Sequence, residues 1–206
     1  MNRPGLMQDI LELTSEHFVL VLASMAIAIA IGIPAGILLT RKPGFRTWVL
    51  GFANVMQTIP SLALFGFLIP IPIIGGIGKR TAIVALVLYA LLPILRNTLV
   101  GILGVDPAVR ESAVAMGMTG RQLLWQVELP LAINVILSNM RVTVVISIRL
   151  GTIAAAIGAE GLDELIFRGL AMVNNQLILA GAIPAALLAL LADFSLGWVE
   201  RRLRPQ

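Results

Sequence analysis

Residues 106–130 read DPAVRESAVAMGMTGRQLLWQVELP and separate one long apolar run from the next. Asp106 before Pro107 predicts a helix start, with a carboxylate to cap free N–H groups and a proline at the first helical position. Helix formers continue to Met116, and Gly117 suits a left-handed C-cap. Thr119 with Gln122 three residues on is a capping-box pattern for a second short helix, which Pro130 is expected to end. Two short helices meeting at a glycine form a compact knob. Its apolar side is Val109, Ala113, Met116, Leu123, Leu124 and Val127.

On both sides of this knob the chain is far too apolar for water. Of 206 residues, 58% are hydrophobic and only 13% charged, against about 45–50% and about 25% in soluble domains. A bilayer-spanning helix needs about 20 predominantly apolar residues. Five runs qualify: 18–39, 48–74, 81–103, 131–159 and 177–199. The segment 6–13 is short and carries Asp9 and Glu12, which places residues 1–17 at the interface, outside the first span. Residues 18–199 form the membrane domain, with 106–130 as its loop, and 200–206 are a tail. The fold class is all-α, integral to the membrane, with about five transmembrane helices.

The net charge of +4 comes from 15 basic residues clustered between apolar runs, so it reports topology and not an acidic or nucleic-acid partner. Arg41, Lys42, Arg46, Arg110, Arg121, Arg201, Arg202 and Arg204 fall on one side; Arg3, Lys79, Arg80 and Arg168 fall on the other. The larger group belongs in the cytoplasm by the positive-inside rule, so the N-terminus is expected outside and the C-terminus inside. Cysteine is absent and one histidine, His17, stands at the outer start of the first span, read as an interfacial residue. The Gly75–Arg80 segment lacks phosphate-loop spacing. No catalytic or metal site is read in the chain.

Glu111-x-Ala113, Gly117 six residues after the glutamate, and Val127-x-Leu129-Pro130 together resemble the EAA signature of ABC-importer permeases; Ser112 replaces the usual second small residue. The resemblance implies that Arg110, Glu111, Ala113, Met116, Gly117, Val127, Leu129 and Pro130 dock on a cytoplasmic ATPase. It further implies a type I importer (MetI-like) transmembrane domain. QTIPSLA from Gln57, LLPILRNT from Leu91, and the 157–162 and 166–170 segments are similar to permeases for glycine betaine, carnitine and choline. The implied function is import of a small compatible solute, including proline-type solutes, across a bacterial cell (inner) membrane. The implied partners are two ATPase subunits holding ATP and Mg, a second permease subunit (identical or related), a separate extracytoplasmic binding protein and membrane lipid. This chain itself is implied to hold no cofactor and to be no enzyme. Arg149, Glu160 and Asp163 depart from the family pattern, standing where glycine is expected. The loop signature alone also allows an amino-acid or methionine permease. An ion-coupled secondary transporter is the reading from a different class, and it needs no docking loop.

Charge inside a span is expensive and marks candidate sites. Arg141 and Asp193 lie about 12 Å and about 9 Å from the same membrane face at 1.5 Å per residue, so they are expected to pair and fix two helices. Arg149 falls mid-bilayer, where it either faces a water-filled cavity or reaches Glu160 or Asp163. Arg96 either snorkels to the interface or serves the pathway. Pro60 and Pro93 free the carbonyls of Met56 and Tyr89, which must find partners or water. Hence Gln57, Thr58, Pro60, Ser61, Tyr89, Pro93, Asn97 and Arg149 are the candidate pathway and gate residues. Tyr89 offers a cation–π surface. Gly32, Gly36, Gly66 and Gly101 suit close helix packing. Residues 160–176 are read as an outer loop holding a short, partly inserted helix.

Overall fold

The computed structural model describes residues 5–72, 74, 76–154, 158–159 and 161–203. Among these there are helices and turns but no strands. In chain order the helices are α1 (Leu6–Arg41), α2 (Pro43–Thr58), α3 (Ser61–Leu68), α4 (Lys79–Leu103), α5 (Pro107–Ala115), α6 (Gly120–Leu123), a π-helical turn (Leu124–Glu128), α7 (Leu129–Ala154), α8 (Asp163–Ala171) and α9 (Asn175–Leu203). Among the described residues, four stretches are long and apolar enough to cross a membrane: Leu6–Arg41, Lys79–Leu103, Gly120–Thr152 and Asn175–Arg202. The bent pair α2–α3 makes a fifth if counted as one span.

Two glycines fix the central packing. A Cβ on Gly32 would stand 2.6 Å from a methyl of Ile94, and one on Gly36 would stand 2.7 Å from Thr98 Cβ. With no side chain there, α1 lies directly on α4. Both run in the same direction, since Glu16 near the start of α1 meets Lys79 at the start of α4 at 2.9 Å. Gly101 makes a similar approach to Ile136 and Ala132 of α7. Gly66, expected to do the same, has nothing within 4 Å of the position a Cβ would take.

The second apolar run is not one rod. It breaks at Ile59–Pro60 with a bend of 105°. Proline forbids a helical N–H and pushes the residue before it toward extended backbone, and Ile59 indeed has φ −68° and ψ 128°. Tyr89 Oη on α4 donates to the Ile59 carbonyl at this corner, which satisfies a backbone group that the break exposes.

Residues 6–13, placed at the interface, are the opening turns of α1, which is continuous over 36 residues, about 54 Å, longer than a hydrocarbon core of about 30 Å needs. Two expectations need revision. His17 is not interfacial but 2% exposed, packed among α1, α7 and the start of α8. Pro130 does not end its helix. Helical backbone runs unbroken from Gly120 to Ala154, because a π-helical turn precedes the proline. The Leu129 N–H there bonds the Leu124 carbonyl five residues back. This wider turn absorbs the ring that would otherwise clash with the preceding turn.

Candidate functional site: a docking loop and a polar cavity

The loop caps form through local chemistry. Asp106 Oδ1 accepts from the Ala108 N–H at 2.9 Å, and Pro107 opens α5. Gly117, at φ 83°, closes α5 with Met118 N–H on the Ala113 carbonyl and Gly117 N–H on the Val114 carbonyl. That pairing is a Schellman motif. Both bonds of the Thr119–Gln122 capping box are present. Ala113 and Leu123 are buried beneath the knob, with Val127 and Leu129 half-buried. Glu111, Ser112, Met116 and Pro130 are exposed. Of the residues expected on the apolar side, Met116 is 73% exposed and Val109 42%. They form an apolar tip on the outside of the loop.

A cluster of charges at the base of the loop takes up Arg110, expected as a docking residue, together with Arg41 and Glu128, which are not among the expected sites. Glu128, in the π-helical turn, is 1% exposed. Arg41 at the end of α1 donates from Nη2 to its Oε2. Arg110 of α5 places Nε 3.3 Å from Oε1 and donates from Nη2 to the Ile102 carbonyl at the end of α4. One buried carboxylate therefore ties three chain segments together, and the second arginine extends the tie to α4. The Arg41–Glu128 contact is a charge-assisted hydrogen bond, the stronger class, whereas Arg110 Nε meets the carboxylate as an ion pair without a hydrogen bond.

Above this clamp, the end of α2 joins α4 and α7 around a cavity of about 400 Å³. Gln57, Tyr89, Pro93 and Asn97 line it, four of the eight candidate pathway residues. Asn139, Thr143 and Ser147 of α7 complete the polar wall. Their spacing of four puts them on one helical face, a pattern that was open to sequence reading. Thr143 Oγ1 donates to the Asn139 carbonyl at 2.9 Å and Ser147 Oγ contacts Met25 Sδ at 3.3 Å. No charged side chain lines this cavity.

The remaining candidates lie elsewhere. Thr58 and Pro60 are exposed at the α2–α3 corner, and Ser61 is half-buried beside them. None of the three lines the cavity. Arg149 is exposed and also off the wall. Asp163, one of the two acids it is expected to reach if it does not face a water-filled cavity, faces His17, Oδ2 to Nδ1 at 3.7 Å. Glu160 lies outside the described residues. Arg96 donates to Asn54 Oδ1 at 3.2 Å. Arg141 and Asp193 meet in a two-pronged contact, Nε to Oδ1 and Nη2 to Oδ2, each at 2.5 Å. Glu200 stands 3.8 Å from Arg141 Nη1. Gly197 leaves room for that guanidinium, since a Cβ there would lie 2.8 Å from Nη1.

Asp163, at the start of α8, is 1% exposed with neither carboxylate oxygen hydrogen-bonded to a side chain or backbone donor. Burial pushes its pKa up to about 7. The 160–176 segment does contain a short helix, α8. Asn174 Oδ1 then accepts from the Gln176 and Leu177 N–H groups to start α9.

A bundle of membrane-length helices with a capped helical loop at one end and an uncharged polar cavity between its helices suits a membrane transport subunit. The chain belongs to the family of binding-protein-dependent transport system inner membrane components, whose pattern matches residues 19–205. It is similar to the carnitine transport permease protein OpuCB of Listeria monocytogenes, 46% identical over 198 residues, covering 96% of this chain and 89% of that protein. It is also similar to the glycine betaine/carnitine/choline permease OpuCD of Bacillus subtilis, 45% identical over 92% of this chain and 82% of that one. Among solved structures, the inward-facing MetNI methionine ABC transporter superposes with TM-score 0.90 at 24% identity, each chain covered fully. That likeness concerns the fold.

Proposed function

We propose that this chain is the membrane-spanning permease of an ABC importer for a small osmoprotectant of the glycine betaine, carnitine or choline type. The observation that carries the reading is the uncharged cavity of amides, hydroxyls and one tyrosine, built on the same helices that the docking loop clamps. Quaternary ammonium solutes carry a bulky, weakly hydrated cation, and an amide-lined wall accepts it without trapping it on a fixed charge. Arg149, off that wall, sets no positive barrier in it. The two permeases named above, for carnitine and for glycine betaine, carnitine and choline, are 46% and 45% identical to this chain and support that cargo class.

In this reading two cytoplasmic ATPases hold ATP and Mg, and the chain itself binds neither. A second permease copy or relative closes the open side of the cavity, and an outer binding protein delivers cargo. The docking loop and the basic end of α9 face the cytoplasm, and the N-terminus lies outside. ATP favours one of two bundle arrangements by binding it more tightly, so the cavity faces each side in turn.

Reconstitution into liposomes with the cognate ATPase and binding protein tests this. Glycine betaine, carnitine or choline should raise both ATP hydrolysis and uptake. Stimulation by methionine with none by these solutes overturns the cargo class. A chain that retains no ATPase overturns the importer reading altogether.

A further inference from the structure

The wall of the polar cavity is neutral, yet an arginine stands beside each of its two ends. On α7 the lining residue farthest from the docking loop is Leu150, and Arg149 precedes it. Val142, Ile146 and Arg149 follow one stripe of α7 at spacings of four and three. Val142 and Ile146 line the cavity and are 56% and 45% exposed. The stripe therefore borders the open side of the cavity, and the exposed Arg149 continues it by one turn. On α4 the lining residue closest to the docking loop is Asn97, and Arg96 precedes it. Arg96 is exposed and donates across to Asn54 Oδ1 of α2 at 3.2 Å. Asn54 lies one turn before Gln57, the residue that α2 gives to the cavity. The neutral wall between the two arginines runs about 16 Å along α7, from Asn139 to Leu150, at 1.5 Å per residue.

Neither arginine has a counter-charge. Among the described residues, Arg41, Arg110 and Arg141 each face a carboxylate. Arg96 has only the neutral amide of Asn54. At Arg149 only the carbonyl is engaged, by Thr152 Oγ1 at 2.6 Å, and the guanidinium has no hydrogen bond or ion pair. Both lie within helices long and apolar enough to cross a membrane. A charge held there without a partner is expensive and marks a place that meets water or an ionic solute.

A guanidinium pairs with a carboxylate through two parallel N–H donors. Glycine betaine and carnitine carry a carboxylate a few bonds from their ammonium, whereas choline carries a hydroxyl. With the ammonium end against the amides and hydroxyls of the wall, the carboxylate end reaches one arginine at a time. In the proposed orientation Arg149 comes first on the way in and Arg96 on the way out.

We propose that Arg149 and Arg96 are specificity-determining residues of the pathway, pairing in turn with the carboxylate of a zwitterionic solute and so favouring glycine betaine and carnitine over choline. The inference rests on the importer reading above and chooses within its cargo class. Initial uptake rates into proteoliposomes holding the permease, its ATPase and its binding protein, with each solute at saturation, test it. The binding protein is the same throughout, so its own preference cancels from each variant-to-wild-type ratio. Arg149→Gln and Arg96→Gln should each slow glycine betaine and carnitine by about tenfold, the size of one charge-assisted hydrogen bond, and choline by no more than about twofold. Along Arg149→Lys, Arg149→Gln and Arg149→Glu the carnitine rate should fall step by step, while the melting temperature of the solubilised chain holds. Equal slowing of all three solutes, unchanged carnitine uptake in Arg149→Gln and Arg96→Gln, or carnitine rates at position 149 that do not follow charge, overturns the proposal. A wild type that imports none of the three overturns the cargo class itself, and this inference with it.

Discussion

Replacing Glu128 by Gln removes one negative charge and little else of the side chain's shape. In the folded chain that charge is 1% exposed and faces two guanidinium groups, Arg41 at 43% exposure and Arg110 at 25%. Breaking a fully buried ion pair costs about 3–5 kcal/mol. Both arginines here reach water and can rehydrate, and Arg110 keeps its bond to the Ile102 carbonyl. The expected cost is therefore smaller, about 2 kcal/mol. In a domain of this size that lowers the melting temperature by about 4–8 °C. If the same energy is what holds the loop in its docking shape, ATPase affinity falls about 30-fold. Thermal unfolding of the solubilised chain and titration with purified ATPase measure the two effects. Arg46→Gln, a cytoplasmic-side change outside the clamp, is the control and should leave both values near wild type. A Glu128→Gln chain with wild-type melting and wild-type ATPase affinity refutes the clamp as an organiser of the loop.

Three further outcomes follow from the geometry. Gly36→Leu should prevent α1 from seating on α4, since even a Cβ would lie 2.7 Å from Thr98, and should abolish recovery of folded chain by size exclusion; normal yield contradicts it. Asp193→Asn and Arg141→Gln should each lower stability, while Arg141→Asp with Asp193→Arg should recover part of the loss. The double-mutant cycle measures this, and simple additivity argues against a coupled pair. Asp163 has its folded pKa raised to about 7 from an ordinary carboxylate value near 3.8. The folded state therefore binds more protons between those values, so stability should fall as pH rises from about 4 to about 7 and level off above. In Asp163→Asn that contribution to the melting profile should vanish; an identical slope in the variant places the pH dependence elsewhere.

What was legible in the sequence was what neighbours in sequence decide. Asp106, Gly117, Thr119 and Gln122 cap helices within a few residues of themselves, and those caps form as their spacing predicts. Arg141 and Asp193 are distant in sequence, yet the high cost of charge in a bilayer makes mutual pairing the economical solution, and depth alone brought them together. Glu128 and His17 were opaque for the opposite reason. Glu128 meets Arg41 across 87 residues and His17 meets Ile148 across 131, with no apolar-run argument to single either out. Pro60 and Pro130 show the limits of a local rule. The same residue type produced a 105° corner in one place and no break in the other, because a π-helical turn was available beside Pro130. Tyr89, Pro93 and Asn97 share one face of α4 at spacings of four and reach the cavity wall with Gln57, whereas Thr58, Pro60 and Ser61 lie at the α2–α3 corner, off that wall. Asn139, Thr143 and Ser147 were missed although their four-residue period was visible.

The continuity through Pro130 changes how loop and cavity relate. If the helix had ended there, movement of the docking knob would have been absorbed by a flexible joint before reaching the bundle. Instead α6, the π-helical turn and α7 form one helical rod. The capping box sits at one end, Glu128 within the turn, and Asn139, Thr143 and Ser147 farther along. Arg110 adds a second route by holding the end of α4, whose other turns carry Tyr89, Pro93 and Asn97. Both polar walls of the cavity are thus on helices that the clamp grips directly, and α1, gripped through Arg41, is seated on α4 by Gly32 and Gly36. In the proposed importer, a displacement at the loop would move these helices as bodies, and the buried Glu128 carboxylate is where the contacts to Arg41 and Arg110 meet.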